Sequence, residues 1–531
     1  MVPVSDFPRI SDFGFRISKS VATLLSLLQI DVIVPWLLGM AFGIFVGATP
    51  GLTATMAVAL IVPFTFYLPN PNTGLALILG ISFTAIFAGD IPSVYLRIPG
   101  TPASAAGTLD GHAMAKQGHG RLALMLDLWC SALGGLIGTV LLIVSSQQLA
   151  RFALRFSNFE YFWLGVAGLG ISAVVTQAPP LRGMVAALLG LMLSTVGIDH
   201  VSGTPRFTFG RPELTGGIDF IAVMIGLFGL SEVLRSLHLR ASLAGAATHD
   251  SDATRTRDVW LTIWRHKFTV LKSSLLGTFI GALPGAGADI AAWAAYGLAQ
   301  RTSRTPGTFG KGCTEGVVAP TTANNAAVAG AWIPALVFGI PGDSVTAIAL
   351  GALLMYNIKP GPLVFEQNGT QIQAIFLIAL ITQFLLLPAG WFGIRAFGAI
   401  LRLPRSVVMT AVVVFSVVGA YSLRNDLFDV WVMIAAGVAG FFLEAQRVPL
   451  APLILGLILG PMVEENLRAG LIKTSGDLVP FFARPFCSVL VLLLVAAFAG
   501  PALARRFRSP AGAIEPANLR AGNEPEPKGD L

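Results

Sequence analysis

The sequence predicts an all-α polytopic integral membrane protein, and its composition and apolar runs are the main reasons. Hydrophobic residues make up 54% of the 531 positions and charged residues only 12%, which is too little charge to cover the surface of a soluble protein. Apolar runs such as Asp31–Ala48, Leu122–Ser146 and Ile375–Ile394 are long enough to cross a hydrocarbon core of about 30 Å as helices. Their continuity argues against a transmembrane β-barrel, whose strands alternate between apolar and polar residues. We expect about 12 transmembrane segments, some of them broken or re-entrant because glycine and proline interrupt the runs.

The chain contains an internal repeat. GATPG (Gly47–Gly51) recurs as GALPG (Gly281–Gly285), and the segment that begins at Asp90 with DIPSVYLRIPG resembles WIPALVFGIPG, which begins at Trp332. Both Ile-Pro steps of the second motif recur 242 positions later. Transporters are commonly built from duplicated halves whose broken helices form the substrate site. The sequence therefore predicts two internal structural repeats.

The charges at the ends of the helices bear on the orientation of the two halves, and they give conflicting indications. Both halves begin near basic residues, which favours parallel repeats. The loop Tyr67–Thr73 carries no charge, whereas its counterpart Arg301–Lys311 is basic, which favours inverted repeats. We favour inverted repeats.

The basic residues that give the net charge of +7 also predict the sidedness of the protein. They gather near the N-terminus, in the loop Arg235–Lys272 and at Arg505–Arg508, and the positive-inside rule makes these regions cytoplasmic. The predicted organisation is an N-terminal cytoplasmic segment at 1–30, a first transmembrane repeat at 31–235, a central cytoplasmic loop at 236–268, a second transmembrane repeat at 269–504 and a disordered cytoplasmic tail at 505–531.

The Gly- and Pro-rich breaks predict the substrate site. Proline lacks an N–H and glycine leaves helical geometry easily, so breaks at membrane depth need polar partners or a polar cavity. Helix N-termini that follow such breaks present N–H groups suited to an anion. The predicted substrate-binding residues are Thr49, Gly51, Gly100, Thr101, Ser104, Thr322, Asn324, Asn325, Gly342, Ser344 and Thr346. Close helix packing is the alternative role for any one of these small residues.

Acidic residues within the membrane are costly and point to function. We predict that Asp90, Asp289 and Asp343 couple transport to a cation, either by binding a transient Na⁺ or by carrying a proton. Asp343 has an alternative role as a helix N-cap, and Asp90 has an alternative partner in Arg97, seven residues on. The sequence predicts no cofactor, no resident metal and no nucleic-acid partner, since the cysteines are isolated and GTFGKG (Gly307–Gly312) lacks the spacing of a phosphate-binding loop.

These motifs resemble the large membrane subunit of the bacterial tripartite tricarboxylate transporters. The matching segments are GATPGLTATMAVALIVPFTF, FAGDIPSVYLRIPGTPASA, APTTANNAAVAGAWIPALVFGIPGDSVTAIALGAL and KPGPLVFE. The resemblance implies a multi-pass carboxylate importer of the bacterial inner membrane. It also implies two partners, a small membrane subunit and a periplasmic solute-binding protein that delivers the substrate.

The expected function is binding-protein-dependent secondary active uptake of a tricarboxylate, dicarboxylate or related organic acid, coupled to Na⁺ or H⁺. Inward movement of a di- or trivalent anion costs roughly 5–7 kcal/mol per 100 mV of membrane potential, so it requires coupling. Two alternatives are an uncoupled anion channel, which would favour rings of one charge type, and a membrane-embedded enzyme, which would favour a compact group of catalytic side chains.

Overall fold

The computed structural model describes residues 23–68, 70–176, 178–199, 202–238, 256–400, 402 and 404–507. The predicted N-terminal segment up to residue 22, residues 239–255 of the central loop and the tail beyond residue 507 lie outside the described residues. Within the described ranges the protein is helical, apart from one antiparallel pair of two-residue strands, β1 (Gly197–Ile198) and β2 (Pro205–Arg206). The predicted all-α fold is therefore confirmed.

The first half begins with a transmembrane helix and contains the longest helix of the chain among the described residues. Its helices are α1 (Ile30–Ala48), α2 (Ala54–Thr65), α3 (Pro71–Ala88), α4 (Asp90–Leu96), α5 (Ala105–Lys116), α6 (Gly120–Ala153), α7 (Asn158–Val175), α8 (Pro180–Ser194), α9 (Phe220–Met224) and α10 (Ser231–His238). A π-helical turn, Ile225–Leu230, joins α9 to α10.

The second half repeats this order of short and long helices. Its helices are α11 (Thr256–Arg265), α12 (Lys267–Gly281), α13 (Gly287–Thr302), α14 (Thr314–Phe338), α15 (Ser344–Met355), α16 (Val364–Gln367), α17 (Gly369–Ile400), α18 (Arg405–Arg424), α19 (Leu427–Ala445), α20 (Leu450–Lys473), α21 (Val479–Ala483) and α22 (Pro485–Phe507). Helix α11 lies within the predicted central loop, and α22 extends past the boundary predicted for the tail.

Eight helical segments of the described chain are long and apolar enough to cross a membrane. They are Ile30–Ala48, Pro71–Leu96, Gly120–Ala153, Asn158–Val175, Gly369–Ile400, Ser406–Arg424, Leu427–Ala445 and Leu450–Lys473. Shorter apolar helices occur at Ala54–Thr65, Pro180–Ser194, Ser344–Met355 and Pro485–Ala499. Helices of 10–17 residues are too short for a straight crossing, as expected for broken or re-entrant segments.

Each half contains a break before a 12-residue helix, α5 in the first half and α15 in the second. We refer to residues 97–104 as the first break and to residues 339–343 as the second break. The residue after α4 is Arg97, whose φ of 61° is left-handed, and the residue after α14 is Gly339, whose φ is 71°. These two positions are 242 apart, the spacing of the sequence repeat. The breaks therefore share a backbone turn as well as a motif.

Close backbone contacts behind the breaks also recur. A Cβ atom at Gly100 would overlap the carbonyl oxygen of Gly47, and a Cβ atom at Gly342 would overlap the carbonyl oxygen of Gly281. In both halves, therefore, the Ile-Pro-Gly turn packs directly on the end of the first helix. The two sequence motifs recur together because each break needs this contact.

The two halves pack across each other. Helix α6 of the first half lies along α14 of the second, and α17 of the second half lies along α3 of the first. The long helices α6 and α17 run antiparallel, because Gly135 faces Gln383 while Leu128 meets Gly390. Equivalent helices of parallel repeats would run in the same direction, so this arrangement supports the inverted orientation.

Candidate functional site

A cavity of about 460 Å³ lies between the two halves, within the size range of small-molecule sites. The first half contributes Thr53, Ala54, Thr55, Ile86, Thr101, Pro102, Thr176, Leu227, Phe228, Ser231, Glu232 and Arg235. The second half contributes Gly285, Ala286, Gly287, Ala288, Asp289, Ile290, Asp343, Ser344, Val345, Glu444, Pro449 and Ala451. The lining mixes apolar residues with a few hydroxyl and carboxyl groups, which is the usual composition of a ligand site.

Several helices begin at this cavity. The first residues of α2, α13 and α15 line it. Thr53 caps α2 by accepting a hydrogen bond from the N–H of Met56 at 3.1 Å, and Asp343 caps α15 by accepting one from the N–H of Thr346 at 2.7 Å. The first turn of a helix leaves N–H groups without intrahelical partners and carries a positive partial charge. Helix ends that converge in this way favour an anion in the cavity.

Equivalent positions of the two halves carry different chemistry in this cavity. Thr101 of the first break corresponds to Asp343 of the second by the 242-residue spacing, and Thr55 corresponds to Asp289 by the 234-residue spacing of GATPG and GALPG. All four residues line the cavity. The first half thus offers hydroxyl groups where the second half offers carboxylates, and carboxylate oxygens suit a cation.

A cluster of three charged residues lines the cavity near the end of α10. Arg235 forms an ion pair with Glu232 at 2.7 Å and lies 3.9 Å from Glu444 of α19. Helix α10 leads into the central loop that the sequence predicts to be cytoplasmic. On that prediction, this part of the cavity lies toward the cytoplasm. The sequence analysis did not single out these three residues.

Four of the predicted site residues line the cavity, namely Thr101, Ser344, Asp289 and Asp343. The other predicted residues of the loops and breaks lie behind them. Thr49 Oγ1 donates to the backbone oxygen of Phe45 at 2.7 Å, and the Thr346 hydroxyl donates to the Asp343 carboxylate at 2.7 Å. Gly51 has a φ of 92°, which only glycine adopts without strain. Ser104, Gly100 and Gly342 are buried in the breaks themselves.

Thr322, Asn324 and Asn325 occupy a different place from the one expected. The sequence predicts a broken segment here, but these residues lie inside the continuous helix α14 and are buried. The Thr322 hydroxyl donates to the backbone oxygen of Val318 at 2.6 Å. Pro320 does not end the helix, because it sits in a buried stretch where neighbouring helices hold the backbone. These side chains therefore lie apart from the residues that line the cavity.

Asp90 lies next to a residue that the sequence analysis missed. Its carboxyl group is within hydrogen-bonding range of Asp127 of α6 and accepts a hydrogen bond from Asn324 at 3.3 Å. The proposed pair with Arg97 does not form, because α4 ends at Leu96 and the Arg97 side chain is exposed. Asp127 falls within the apolar run Leu122–Ser146, and an acid at such a position was a usable signal for a functional residue.

Comparisons with known proteins agree with this architecture. Residues 33–455 match the model of the family described as the tripartite tricarboxylate transporter TctA family. A protein of Agrobacterium vitis described as "Uncharacterized 52.8 kDa protein in TAR-I ttuC' 3'region" is 35% identical over 456 residues, which is 85% of this chain and 89% of that protein. A second from the same organism, "Uncharacterized protein in TAR-II ttuC' 3'region", is 36% identical over 215 residues, 40% of this chain and 89% of that protein.

No solved structure matches the chain. The family match extends into both repeats. It includes both breaks and all the residues that line the cavity, from Thr53 to Ala451. This chain is a multi-pass membrane protein that belongs to the tripartite tricarboxylate transporter TctA family.

Proposed function

We propose that the chain is the permease of a binding-protein-dependent secondary active transporter that imports a carboxylate. Its substrate is a tricarboxylate, a dicarboxylate or a related organic acid, and the membrane is the bacterial inner membrane. The observation that carries this proposal is the cavity between the two halves, on which the N-termini of α2, α13 and α15 converge. Such helix ends bind the carboxylate groups of a substrate through their free N–H groups.

The coupling cation binds in the same cavity, at the carboxylates of the second half. Asp289 and Asp343 both line the cavity, and the Asp343 side chain lies beside Gly287, two residues before Asp289. Two ionised carboxylates in one cavity repel each other. A cation between them lowers this repulsion. Its charge also offsets part of the free-energy cost of moving an anion against the membrane potential, and this cost is about 2.3 kcal/mol per charge per 100 mV. Binding of the anion and of the cation then favour each other.

Two further subunits complete the transporter. A small membrane subunit packs against this chain, and a periplasmic solute-binding protein delivers the carboxylate to the cavity. Selection of the substrate then depends on that protein as well as on the cavity. Hydroxyl groups such as Thr55 and Thr101 tolerate several carboxylates, because they do not impose the fixed bidentate geometry of an arginine.

The assembled transporter, reconstituted in proteoliposomes, tests this proposal with labelled citrate and succinate as probes. We expect binding-protein-dependent uptake that follows an imposed Na⁺ or H⁺ gradient and stops when both gradients are collapsed. The Asp289→Asn variant should lose the response to the gradient of the coupling cation. Asp258→Asn, on the exposed side of α11, is the matched control and should retain it.

Two results would contradict the proposal. Uptake that needs ATP and continues after the gradients are collapsed would exclude secondary transport. Fast, binding-protein-independent equilibration of the anion, unaffected by Asp289→Asn, would instead favour the uncoupled channel.

A further inference from the structure

The buried carboxyl groups of Asp90 and Asp127 form a pair at the contact between the two halves. Asp90 is 2% exposed and Asp127 is completely buried. Their side chains are within hydrogen-bonding range of each other. Neither forms an ion pair with a lysine, arginine or histidine that the structure describes. Two ionised carboxylates in such a place would repel each other strongly, so the pair must hold a positive species.

The surroundings of the pair show which species fits. Ser131 Oγ donates to Asp127 Oδ1 at 3.2 Å, and Asn324 Nδ2 donates to Asp90 Oδ2 at 3.3 Å. The second oxygen of Asp127, Oδ2, is fully buried and has no hydrogen-bond partner among the described residues. Hydrogen-bond donors that point at both carboxyl groups suit an anionic pair that shares one proton. A metal cation would need further oxygen ligands in place of these two donated hydrogen bonds.

A chain of hydroxyl groups connects the pair to the cavity. Ser104 lies beside Asp90, and its hydroxyl group packs against Gly89, the residue before Asp90. The hydroxyl of Ser104 lies 2.9 Å from that of Thr101, and either can donate. Thr101 lines the cavity, while Ser104 is completely buried. The hydroxyl groups of the first break therefore lead from the cavity toward the carboxyl pair.

We propose that Asp90 and Asp127 share one proton, and that this proton exchanges with the cavity through Ser104 and Thr101. This inference rests on the proposed function and names the proton as a coupled cation, held at a site separate from Asp289 and Asp343. On loading, a hydronium ion in the cavity gives a proton to the Thr101 hydroxyl and becomes water, as Thr101 passes its own proton to Ser104. Ser104 passes its proton to Asp90, where the hydrogen bond to Asp127 holds it.

Apart from Cys130, the other ionisable groups near the pair have partners elsewhere. Cys130 on α6 is buried and interacts with both Asp127 and Thr322. On α5, the His112 ring Nδ1 contacts the backbone oxygen of Val94 at 2.9 Å, and Asp110 is bound to the loop before α14. Helix α14 presents the amide of Asn324 and the backbone oxygen of Thr321 to this region. A proton that arrives from the cavity along the first break therefore changes the charge of the Asp90–Asp127 pair.

Infrared difference spectroscopy of the purified full-length protein in lipid nanodiscs tests the shared proton without a substrate. Wild type should show the carbonyl stretch of a protonated carboxyl group near neutral pH, and Asp127→Asn should remove it. Ser131→Ala keeps both carboxyl groups but should shift the frequency of the band, because Asp127 loses a hydrogen bond. Thr101→Val should keep the band and slow its response to a pH jump, whereas Asp258→Asn should change nothing.

An unchanged carbonyl band in both Asp127→Asn and Ser131→Ala would overturn the proposal. So would thermal stabilisation of the wild-type protein by NaCl over choline chloride that Asp127→Asn abolishes, because the pair would then bind Na⁺.

Transport by the assembled complex separates this inference from the proposed function. Wild type should accumulate labelled citrate or succinate on a proton gradient, and Asp127→Asn should lose this accumulation while still exchanging labelled for unlabelled substrate. Thr139→Val, which removes a buried hydroxyl bonded only within α6, is the control and should retain both.

If wild type neither accumulates nor exchanges substrate, the proposed function is wrong, and the infrared result still decides whether the pair shares a proton. Wild-type accumulation that ignores the proton gradient would overturn the inference and leave the proposed function standing.

Discussion

At the scale of single residues, the breaks depend on two glycines that allow the backbone to approach very closely. Gly100 faces the carbonyl oxygen of Gly47, and Gly342 faces that of Gly281. Both glycines directly precede cavity residues, Thr101 and Asp343. Any side chain at either glycine would push the break away from the first helix of its half, so these positions set the shape of the cavity.

We expect Gly100→Ala and Gly342→Ala each to destabilise the folded protein by about 1–3 kcal/mol, because the added methyl group meets backbone that cannot move aside. Thermal unfolding in detergent measures this effect. Gly297→Ala is the control, since Gly297 lies in the middle of α13 with open space around it, and alanine there should be neutral or slightly stabilising. Equal stability in all three variants would mean that the breaks can shift without cost.

At the scale of elements, α14 shows how a helix can be central without being strongly apolar. Almost all of its residues between Gly316 and Val337 are buried, yet it is absent from the set of long apolar spans. Glycines on neighbouring helices let α14 approach closely, as Gly134 and Gly277 do against the backbone of Thr322 and Ala323. Small residues serve this kind of packing in membranes. The polar groups of Thr321–Asn325 are thus part of an interhelical contact.

A second element-scale contact joins the two halves through Asp110 of α5. Its carboxylate accepts hydrogen bonds from the N–H groups of Gly310, Gly312 and Cys313 at 3.0, 2.9 and 2.7 Å, and from the Tyr296 hydroxyl at 2.8 Å. The side chain is completely buried. It holds the loop between α13 and α14 against the helix that follows the first break.

We expect Asp110→Ala to destabilise the protein by about 3 kcal/mol or more, because several donors lose their acceptor at once. Tyr296→Phe removes a single bond and should cost about 1 kcal/mol. The measurement is thermal unfolding of the purified protein, with both variants compared to wild type. If the two variants are equally stable, the loop amides find other acceptors and Asp110 does not join the halves.

At the scale of the whole molecule, the two halves are interlocked rather than separate. Helix α3 packs between α1 of its own half and α17 of the other, and α14 packs between α12 and α6 in the same way. Each central helix therefore needs both halves to bury its surface. The inverted orientation supported by the α6–α17 contact places the two breaks on either side of one cavity.

Cysteine labelling tests the orientation of the halves. In a variant without Cys130, Cys313 and Cys487, we expect Tyr67→Cys and Thr305→Cys to react with an impermeant maleimide from opposite sides of the membrane. Both positions are exposed, and they lie in the equivalent loops after α2 and α13. Labelling of both from the same side would favour parallel repeats.

Much of the architecture could be predicted from the sequence, because apolar length and motif spacing are properties of the chain itself. The runs at Asp31–Ala48 and Leu122–Ser146 became α1 and α6, and the Ile-Pro-Gly motifs became equivalent breaks. The site was predicted less completely. Thr101, Asp289, Ser344 and Asp343 line the cavity, but Asp127, Glu232 and Arg235 were not singled out. The helices that bring Asp90 to Asp127 and Glu444 to Arg235 are distant in sequence.

The sequence by itself determined that this protein is a duplicated bundle of membrane helices with polar breaks, because a bilayer admits few other solutions for such a composition. Only the tertiary structure decided which polar residues share a space. It separated Thr322 and Asn325 from the cavity, paired Asp90 with Asp127 instead of Arg97, and set Thr101 opposite Asp343. The physical reason is that periodicity and motif spacing specify each helix and each break, whereas contacts between helices depend on how close small residues allow their backbones to come.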